Sequence, residues 1–289
     1  MIFCLLISLN IIGFDAGGTF LKYGSPQNLN LLPNPYTKDI IFDLMTSDKK
    51  EILLTGAGAK TIASWISHDK TVSQEKNRPG LHIYNEFQCT GLGGAKLAKQ
   101  EECLVVNIGS GTPILYANAR DNVVKHLGGT GLGSATLVGL SHFILQISDL
   151  SKISELALLG DPSNVNLLVS DLYERSTEDL GLPGDITASN FGKYQDWRHV
   201  RQPTKNDILA GLHVLVAETI AGLSNQATQA YNSSDLPIVL TGGGTLNGAL
   251  VKYLQKTFQY LQKTVIVPEN AIYGTLTGLF ALFDQHNNT

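Results

Sequence analysis

The fold is decided by Ile11-Ile-Gly-Phe-Asp-Ala-Gly-Gly-Thr-Phe-Leu-Lys22. This stretch predicts a buried strand, a glycine turn and a second strand that starts at Phe20, because apolar and β-branched residues flank a pair of glycines. Asp15 stands at the end of the first strand. A polar segment at residues 25–28 then leads towards a third strand at residues 29–32.

The turn carries the groups that grip a phosphate. Gly17 and Gly18 have no side chains to hold a ligand away, so the backbone N–H groups can approach an anion closely. Thr19 adds a hydroxyl and Lys22 a cation. These groups, with the carboxylate of Asp15, can hold nucleotide phosphates and Mg²⁺. By itself the motif also fits an ordinary β-turn.

The same pattern returns in the second half of the chain. Residues 104–108 form an apolar strand, residues 109–112 read Gly-Ser-Gly-Thr, and residues 113–117 and 123–127 predict two further strands. A third glycine cluster follows a strand at residues 236–244. Two strand–turn–strand–turn–strand units, each followed by helical segments, indicate an internal duplication within an α/β fold.

This order of motifs resembles the superfamily of sugar kinases, heat-shock ATPases and actin. The resemblance implies an α/β, two-lobed actin-like ATPase (ribonuclease H-like) fold with duplicated βββαβα units. We expect residues 1–102 to form the first lobe, completed by a C-terminal helix at residues 272–289. Residues 103–271 would form the second lobe, with ATP between the two.

Composition limits the other function classes. The 289 residues carry a net charge of −4 and no basic cluster, which argues against a nucleic-acid surface. Three scattered cysteines form neither a disulfide framework nor a metal motif, and a reducing cytoplasm fits them. Residues 1–10 are apolar but too short to span a bilayer and lack basic residues at their start, so we interpret them as an extension of the first strand and expect no membrane partner.

Two segments in the second half of the chain show the apolar spacing of helices. Leu140, Phe143, Ile144 and Ile147 predict an amphipathic helix after Gly133. Residues 205–231 predict the longest helix, whose apolar face would serve the core or a dimer.

In the details of its motifs, the sequence from Asp15 to about Gly278 resembles type II pantothenate kinases. Asn85-Glu86-Phe87 is similar to the segment that holds their catalytic glutamate, and residues 127–133, Leu-Gly-Gly-Thr-Gly-Leu-Gly, match the segment after their second phosphate motif. Residues 183–192, Pro-Gly-Asp-Ile-Thr-Ala-Ser-Asn-Phe-Gly, are the most distinctive match, because generic sugar kinases lack them.

The resemblance implies ATP-dependent phosphorylation of pantothenate by a cytoplasmic homodimer, with Glu86 as general base and Asp15 holding Mg²⁺ through water. The implied substrate contacts are His126, Asp185, Thr187 and Asn190. The implied nucleotide contacts are Asp15, Gly17, Gly18, Thr19, Lys22, Gly109, Ser110, Gly111, Thr112, Gly128, Gly129, Gly131, Gly133, Gly242, Gly243 and Gly244. For the last three glycines, close packing of strand and helix is the alternative, and Pro-Gly-Asp is also an ordinary turn.

One position departs from the family. An arginine usually precedes the Leu-Gly-Gly segment, and here Lys125 and His126 stand there. Histidine is shorter and cannot reproduce the bidentate grip of arginine. Lys125 or His126 replaces it imperfectly, the substrate differs, or another basic residue compensates.

Two other functions remain open from the sequence. An N-acetylhexosamine-type sugar kinase would use the same glycine turns, although the chain lacks the clustered Cys/His zinc signature of the repressor–sugar-kinase family. A nucleotide-binding sensor without turnover is favoured by His126, whereas Asp15, Lys22 and Glu86 favour an enzyme.

Overall fold

The computed structural model describes residues 10–45, 50–69, 79–173, 183–194, 202–230 and 235–287. The expectation for the N-terminal extension therefore lies outside the described residues, apart from Asn10. Within the described part, two five-stranded sheets carry the architecture.

The first sheet holds the first glycine turn. Its strands are β1 (Ile11–Ala16), β2 (Phe20–Ser25), β3 (Asn28–Pro33), β4 (Glu51–Thr55) and β5 (Gly80–Ile83), in the order β3-β2-β1-β4-β5. β1, β2 and β3 are antiparallel, while β4 and β5 add parallel to β1. Every residue of β1 is buried, as its apolar run predicts for a central strand.

The second sheet repeats this plan. Its strands are β6 (Glu102–Asn107), β7 (Thr112–Asn118), β8 (Val123–Thr130), β11 (Ile238–Thr241) and β12 (Val265–Ile266), in the order β8-β7-β6-β11-β12. β6, β7 and β8 are antiparallel, and β11 and β12 add parallel to β6. The identical order in both sheets confirms the duplicated α/β fold. β9 (Leu167–Leu168) and β10 (Thr187–Ser189) form a separate small ribbon.

Nine α-helices lie in the described residues. They are α1 (Lys38–Leu44), α2 (Ala59–Ser67), α3 (Glu86–Ala98), α4 (Ser134–Leu145), α5 (Leu150–Leu158), α6 (Val169–Leu172), α7 (Lys205–Ala230), α8 (Gly248–Tyr260) and α9 (Gly274–Asn287). α2 packs on the first sheet, and α7 and α8 pack on the second, where the largest core cluster lies.

α3 and α9 cross between the two sheets. Ala95 of α3 packs with the second sheet, whereas Leu276 and Phe280 of α9 pack with the first. Glycines let the helices touch backbone to backbone, because a Cβ built on Gly93 would lie 1.8 Å from the carbonyl oxygen of Gly274. The later part of α3, the helix that follows β5 in the chain, therefore packs against the other sheet, while its Cys89 and Leu92 pack with Ile11 and Leu53 of the first sheet. The division of the chain at residue 102 remains a prediction.

The predicted amphipathic face at α4 is confirmed for Leu140 and Ile147, which pack against the core of the second sheet, and is wrong for Phe143 and Ile144. Phe143 is 81% exposed and Ile144 is 46% exposed. The helix instead buries Ser134, Leu137 and Ser141. The buried side of α4 is therefore the one that carries small residues, and Phe143 and Ile144 lie on another side of the helix.

α7 is a core helix. It is long and apolar enough to cross a membrane by length and composition, but 67% of its most apolar window is buried inside the protein. Its buried residues include Leu209, Val216 and Ile220, which pack in the core of the second sheet. The expectation of the longest helix at this place in the chain is met over the described residues.

Candidate active site

A cavity of about 630 Å³ lies between the two sheets, where the first two glycine turns face one another. It is lined by Asp15, Gly17, Gly18, Thr19, Phe20, Lys22, Ala57, Glu86, Phe87, Asn107, Gly109, Ser110, Gly111, Thr112, Pro113, His126, Gly128, Gly129, Thr130, Gly131, Ser134, Gly243 and Thr275. The volume is that of a typical small-molecule site.

The first turn presents a paired charge to the cavity. Asp15 and Lys22 are directly opposite in the β1–β2 ladder, and the Lys22 ammonium lies 2.8 Å from Asp15 Oδ2. Asp15 is 2% exposed and Lys22 is 13% exposed. The nearby ammonium offsets part of the cost of burying this carboxylate. The Asp15 carboxylate and the Lys22 ammonium therefore both line the cavity beside the backbone of Gly17 and Gly18.

The second turn meets the first across the cavity. The hydroxyl groups of Thr19 and Ser110 lie 3.1 Å apart and share a hydrogen bond. A Cβ built on Gly18 would lie 3.0 Å from Ser110 Oγ. Thr112 donates its hydroxyl to the carbonyl of Leu132 at 2.8 Å, which ties this turn to the segment before α4. The two predicted phosphate turns are thus brought together.

Glu86 is the first residue of α3. The side chain of Asn85 caps this helix by accepting from the N–H of Gln88 at 3.1 Å. The pKa of Glu86 is raised, first by burial and then by the negative charge of Asp15, while Lys22 works in the opposite direction. A half-buried carboxylate with a raised pKa in a cleft is a candidate general base.

Phe87 and His126 stack at the wall of the cavity next to Glu86. Their ring centroids are 4.8 Å apart and the rings are inclined by 15°. Lys125 does not line the cavity, because successive side chains of a strand point to opposite faces. Of the two residues at the expected arginine position, His126 is thus the one that faces the site.

The three glycines at residues 242–244 have two different roles: one lines the cavity and two are needed for close packing. Gly243 lines the cavity. A Cβ on Gly242 would lie 2.6 Å from the carbonyl oxygen of Ile108, and one on Gly244 would lie 2.3 Å from a methyl group of Ile108. Gly242 and Gly244 are therefore required by close packing on β6. Gly133 is likewise packed against the carbonyls of the second turn rather than lining the cavity.

The structure places three predicted substrate residues outside the cavity. Asp185 is exposed and pairs with Lys256 at 3.1 Å. Thr187 lies in the β9–β10 ribbon, and the amide nitrogen of Asn190 donates to Glu218 at 3.0 Å. Their contact with substrate finds no support in the cleft of the described chain.

Several lining residues were not predicted. Phe87 directly follows Glu86, and Asn107 lies at the end of the strand before the second glycine turn, so nearness to these groups in the sequence is the only signal for them. Ser134 follows Gly133, the N-cap of α4, a position at which glycine is accepted. Thr275 comes from α9, far along the chain, and its hydroxyl bonds that of Thr90 at 2.9 Å.

Comparisons with known proteins agree with this geometry. A family model described as Fumble matches residues 95–265. The type II pantothenate kinase of Oceanobacillus iheyensis is 30% identical over 264 residues, which cover 87% of this chain and 90% of that protein. That of Staphylococcus epidermidis is 28% identical over 278 residues, or 93% and 99% of the two chains.

Solved structures share the fold at low sequence identity. Component A of (R)-2-hydroxyglutaryl-CoA dehydratase from Acidaminococcus fermentans superposes with a TM-score of 0.60 and 17% identity over 96% of this chain and 98% of that one. A ROK family glucokinase from Streptomyces griseus, in complex with glucose and AMPPNP, gives 0.54 and 12% over 95% and 99%.

The duplicated sheets and the cleft between them define a protein with the two-lobed, actin-like fold of these solved structures. The Fumble match and the relative at 30% identity identify one family with this fold. The chain belongs to the type II pantothenate kinase family.

Proposed function

We propose that this protein transfers the γ-phosphoryl group of ATP to the primary hydroxyl of pantothenate, giving 4'-phosphopantothenate in the first step of coenzyme A biosynthesis. The observation that carries the proposal is one cavity that holds Glu86 together with both glycine turns. The relatives, which are named type II pantothenate kinases, support the choice of acceptor.

Glu86 acts as the general base. As the pantothenate oxygen bonds to the γ-phosphorus, the bond from that phosphorus to the leaving ADP oxygen breaks. The hydroxyl proton passes to the carboxylate of Glu86. Burial and the charge of Asp15 raise the pKa of this carboxyl, which makes it a stronger base than an exposed glutamate. General-base catalysis of this kind contributes about 10²–10⁴-fold in rate.

The two glycine turns position the phosphates. Phosphoryl transfer depends on alignment and on neutralising charge more than on covalent chemistry. Backbone N–H groups at Gly18 and Gly111 can approach the phosphate oxygens, and Lys22 offsets part of their charge. The N–H of Gly17 instead closes the turn, since it donates to the carbonyl of Phe20 at 3.1 Å. The hydroxyl groups of Thr19 and Ser110, which bond each other at 3.1 Å, are free to turn towards a phosphate oxygen when ATP is bound.

The residues at the first turn fit a magnesium ion carried in with ATP. Among the described residues no group of three or more His, Cys, Asp or Glu forms a protein cage for a metal. Mg²⁺ commonly keeps several waters and binds one or two carboxylates plus the substrate phosphates. Asp15, a 2% exposed carboxylate on the cavity wall, would hold it. The ion supplies charge neutralisation of the phosphates.

The Phe87–His126 stack forms part of the acceptor side. Both rings line the cavity that holds Glu86, and Phe87 directly follows Glu86 in the chain, so an acceptor bound at the base would lie near them. His126 has two ring nitrogens that can bond the amide or carboxylate of pantothenate, with one contact in place of the two that an arginine gives.

The test is an ATP-dependent kinase assay with the purified protein on two acceptors, pantothenate and N-acetylglucosamine. We expect turnover on pantothenate and little on the sugar. Preference for the sugar would favour the hexosamine kinase. Tight ATP binding without turnover on either acceptor would favour the sensor.

We also propose a cytoplasmic homodimer. The longest helix, α7, is mostly buried and does not offer a free apolar face over its described residues. α4 instead exposes Phe143, which is 81% exposed, and Leu159, directly after α5, is 75% exposed. Free, buried thiols at Cys89 and Cys103 fit a reducing compartment. Sedimentation equilibrium of the wild type and of Phe143→Ser tests this interface, and an unchanged mass for the variant would exclude it.

A further inference from the structure

The first glycine turn is bonded to the residue that directly follows β3. The side-chain amide nitrogen of Asn34 donates to the carbonyl of Gly18 at 2.8 Å. The backbone N–H of the same residue donates to the carbonyl of Thr19 at 2.9 Å. Gly18 and Thr19 line the cavity, whereas Asn34 does not. Asn34 therefore binds two consecutive carbonyl groups of the turn from outside the cavity.

The side-chain bond constrains the peptide that joins Gly18 to Thr19. The carbonyl and the N–H of a planar trans peptide point in opposite directions. Because the carbonyl of Gly18 is bonded to Asn34, the N–H of Thr19 points away from Asn34. Glycine has more backbone freedom than any other residue, so a turn that contains Gly17 and Gly18 can reorient its peptides unless something holds them. The Asn34 side chain supplies that restraint.

The segment that carries Asn34 is itself anchored on both sides. β3 precedes it and is paired with β2 as far as Pro33. Tyr36 follows it and packs against the core of the first sheet, where its ring meets that of Trp65 edge-on with centroids 6.4 Å apart. Gly58 leaves room for the Tyr36 hydroxyl, since a Cβ built on this glycine would collide with it. Asn34 is exposed, but it lies between two fixed points and can hold the turn in one geometry.

We propose that Asn34 is a positioning residue for phosphoryl transfer, which holds the Gly18–Thr19 peptide with its N–H directed at the terminal phosphates of the nucleotide. Asn34 acts through the turn and not by contact with ATP, because it does not line the cavity. The proposal rests on the ATP-dependent function above. It adds a residue from outside the cavity whose loss weakens ATP binding without removing a contact to the ligand.

The strand before Asn34 offers a matched control. Asn30 lies on β3, and its side-chain amide nitrogen lies 3.5 Å from Oδ1 of Asn28 instead of contacting the turn. Asn34→Ala and Asn30→Ala therefore remove the same group, one bonded to the turn and one away from it. Substitutions of side chains outside the core usually change stability little, so both variants should melt close to the wild type.

A histidine at position 34 tests the donor itself. Its ring Nδ1 is separated from Cα by the same number of bonds as Nδ2 of asparagine, and it can carry a proton to donate. At pH 8 an exposed histidine is neutral, so Asn34→His adds no charge beside the phosphates. The variant keeps a donor near the Gly18 carbonyl, whereas Asn34→Ala has none.

The experiment measures ATP and AMP affinity by calorimetry at pH 8 for the wild type and the three variants, with melting temperatures beside them. We expect Asn34→Ala to weaken ATP binding about 3- to 10-fold, the loss of one hydrogen bond that orders the turn. AMP lacks the terminal phosphates and should bind to all four proteins alike. Asn34→His should regain most of the ATP affinity, and Asn30→Ala should bind ATP like the wild type.

Equal ATP affinity in Asn34→Ala and Asn30→Ala would overturn the proposal. An equal loss of ATP and AMP affinity in Asn34→Ala would also overturn it, since the effect would then be a general loss of structure. If Asn34→His binds ATP as weakly as Asn34→Ala, the donor is not what holds the turn, and the proposal fails. These measurements need no acceptor. If the wild type binds ATP but does not phosphorylate pantothenate, the proposed function fails while the role of Asn34 is still tested.

Discussion

Substitution of Gly93 by alanine would separate the two helices that join the lobes. The new Cβ would lie 1.8 Å from the carbonyl oxygen of Gly274 and 2.6 Å from the backbone nitrogen of Gly278, about 1.6 Å and 0.8 Å inside ordinary contact. Both neighbours are backbone atoms, so no side chain can rotate away. Overpacking costs about 1–3 kcal/mol, and we expect the upper part of this range.

The same shift should impair catalysis. α3 begins at Glu86 and packs on the second sheet, while α9 packs on the first. A displacement of α3 moves the base relative to the first glycine turn, and a misplacement of about 1 Å can cost about 10²-fold in rate. We expect Gly93→Ala to lower kcat by this order, with a smaller change in the KM for ATP.

Gly139→Ala is the control. This glycine is exposed in the middle of α4, and a Cβ there meets nothing within 4 Å. Alanine should stabilise the helix by up to about 1 kcal/mol. Urea unfolding followed by circular dichroism gives the free energy of unfolding of both variants. If Gly93→Ala is as stable and as active as Gly139→Ala, the close crossing of α3 and α9 is not required and the reasoning is refuted.

Three further predictions concern the cavity and the core. Phe87→Ala removes a stacked pair that is worth about 0.5–1.5 kcal/mol, so the KM for pantothenate in steady-state assays should rise about 2- to 12-fold. An unchanged KM would exclude the stack from the acceptor site. The acid limb of the kcat/KM profile should lie above pH 4.5, because the pKa of Glu86 is raised, and a limb at or below that pH would contradict its burial. His213 is buried and neutral, with Nε2 2.9 Å from the amide nitrogen of Asn247, and burial lowers its pKa below 6.5. Since the unfolded chain takes up this proton first, the free energy of unfolding should fall as the pH drops below 6.5. His213→Gln should lose part of that fall, and an equal pH dependence in both proteins would assign it to other groups.

The strands and glycine turns could be predicted because they depend on local patterns. The run at residues 11–22 carries its own strand, turn and strand, and residues 104–117 repeat it. The duplication then places both turns at the same edge of equivalent sheets. This is why the sequence predicts that Asp15 and Ser110 share one cleft, whereas Glu86 joins them only through the resemblance to type II pantothenate kinases.

The features that the sequence does not show depend on tertiary packing, and the substrate roles of Asp185 and Asn190 remain predictions. Residues 183–192 form a distinctive motif, but their sequence does not show that Asp185 pairs with Lys256 or that Asn190 donates to Glu218 of α7. The spacing of Phe143 and Ile144 fits a helical stripe, whereas the burial of α4 is set by small residues against its neighbours. The packing of α3 on the second sheet requires a glycine contact with a helix about 180 residues away, which no local pattern reports.

The central claim is that Glu86 removes the proton from pantothenate in a cavity that binds ATP independently of this residue. The most direct test is the kcat of Glu86→Gln on pantothenate, beside Glu155→Gln, a carboxylate on α5 that bonds Ser151 away from the cavity. We predict that Glu86→Gln loses about 10²–10⁴-fold in kcat while its ATP affinity is retained, and that Glu155→Gln behaves like the wild type. A Glu86→Gln enzyme that phosphorylates pantothenate at the wild-type rate would contradict the account.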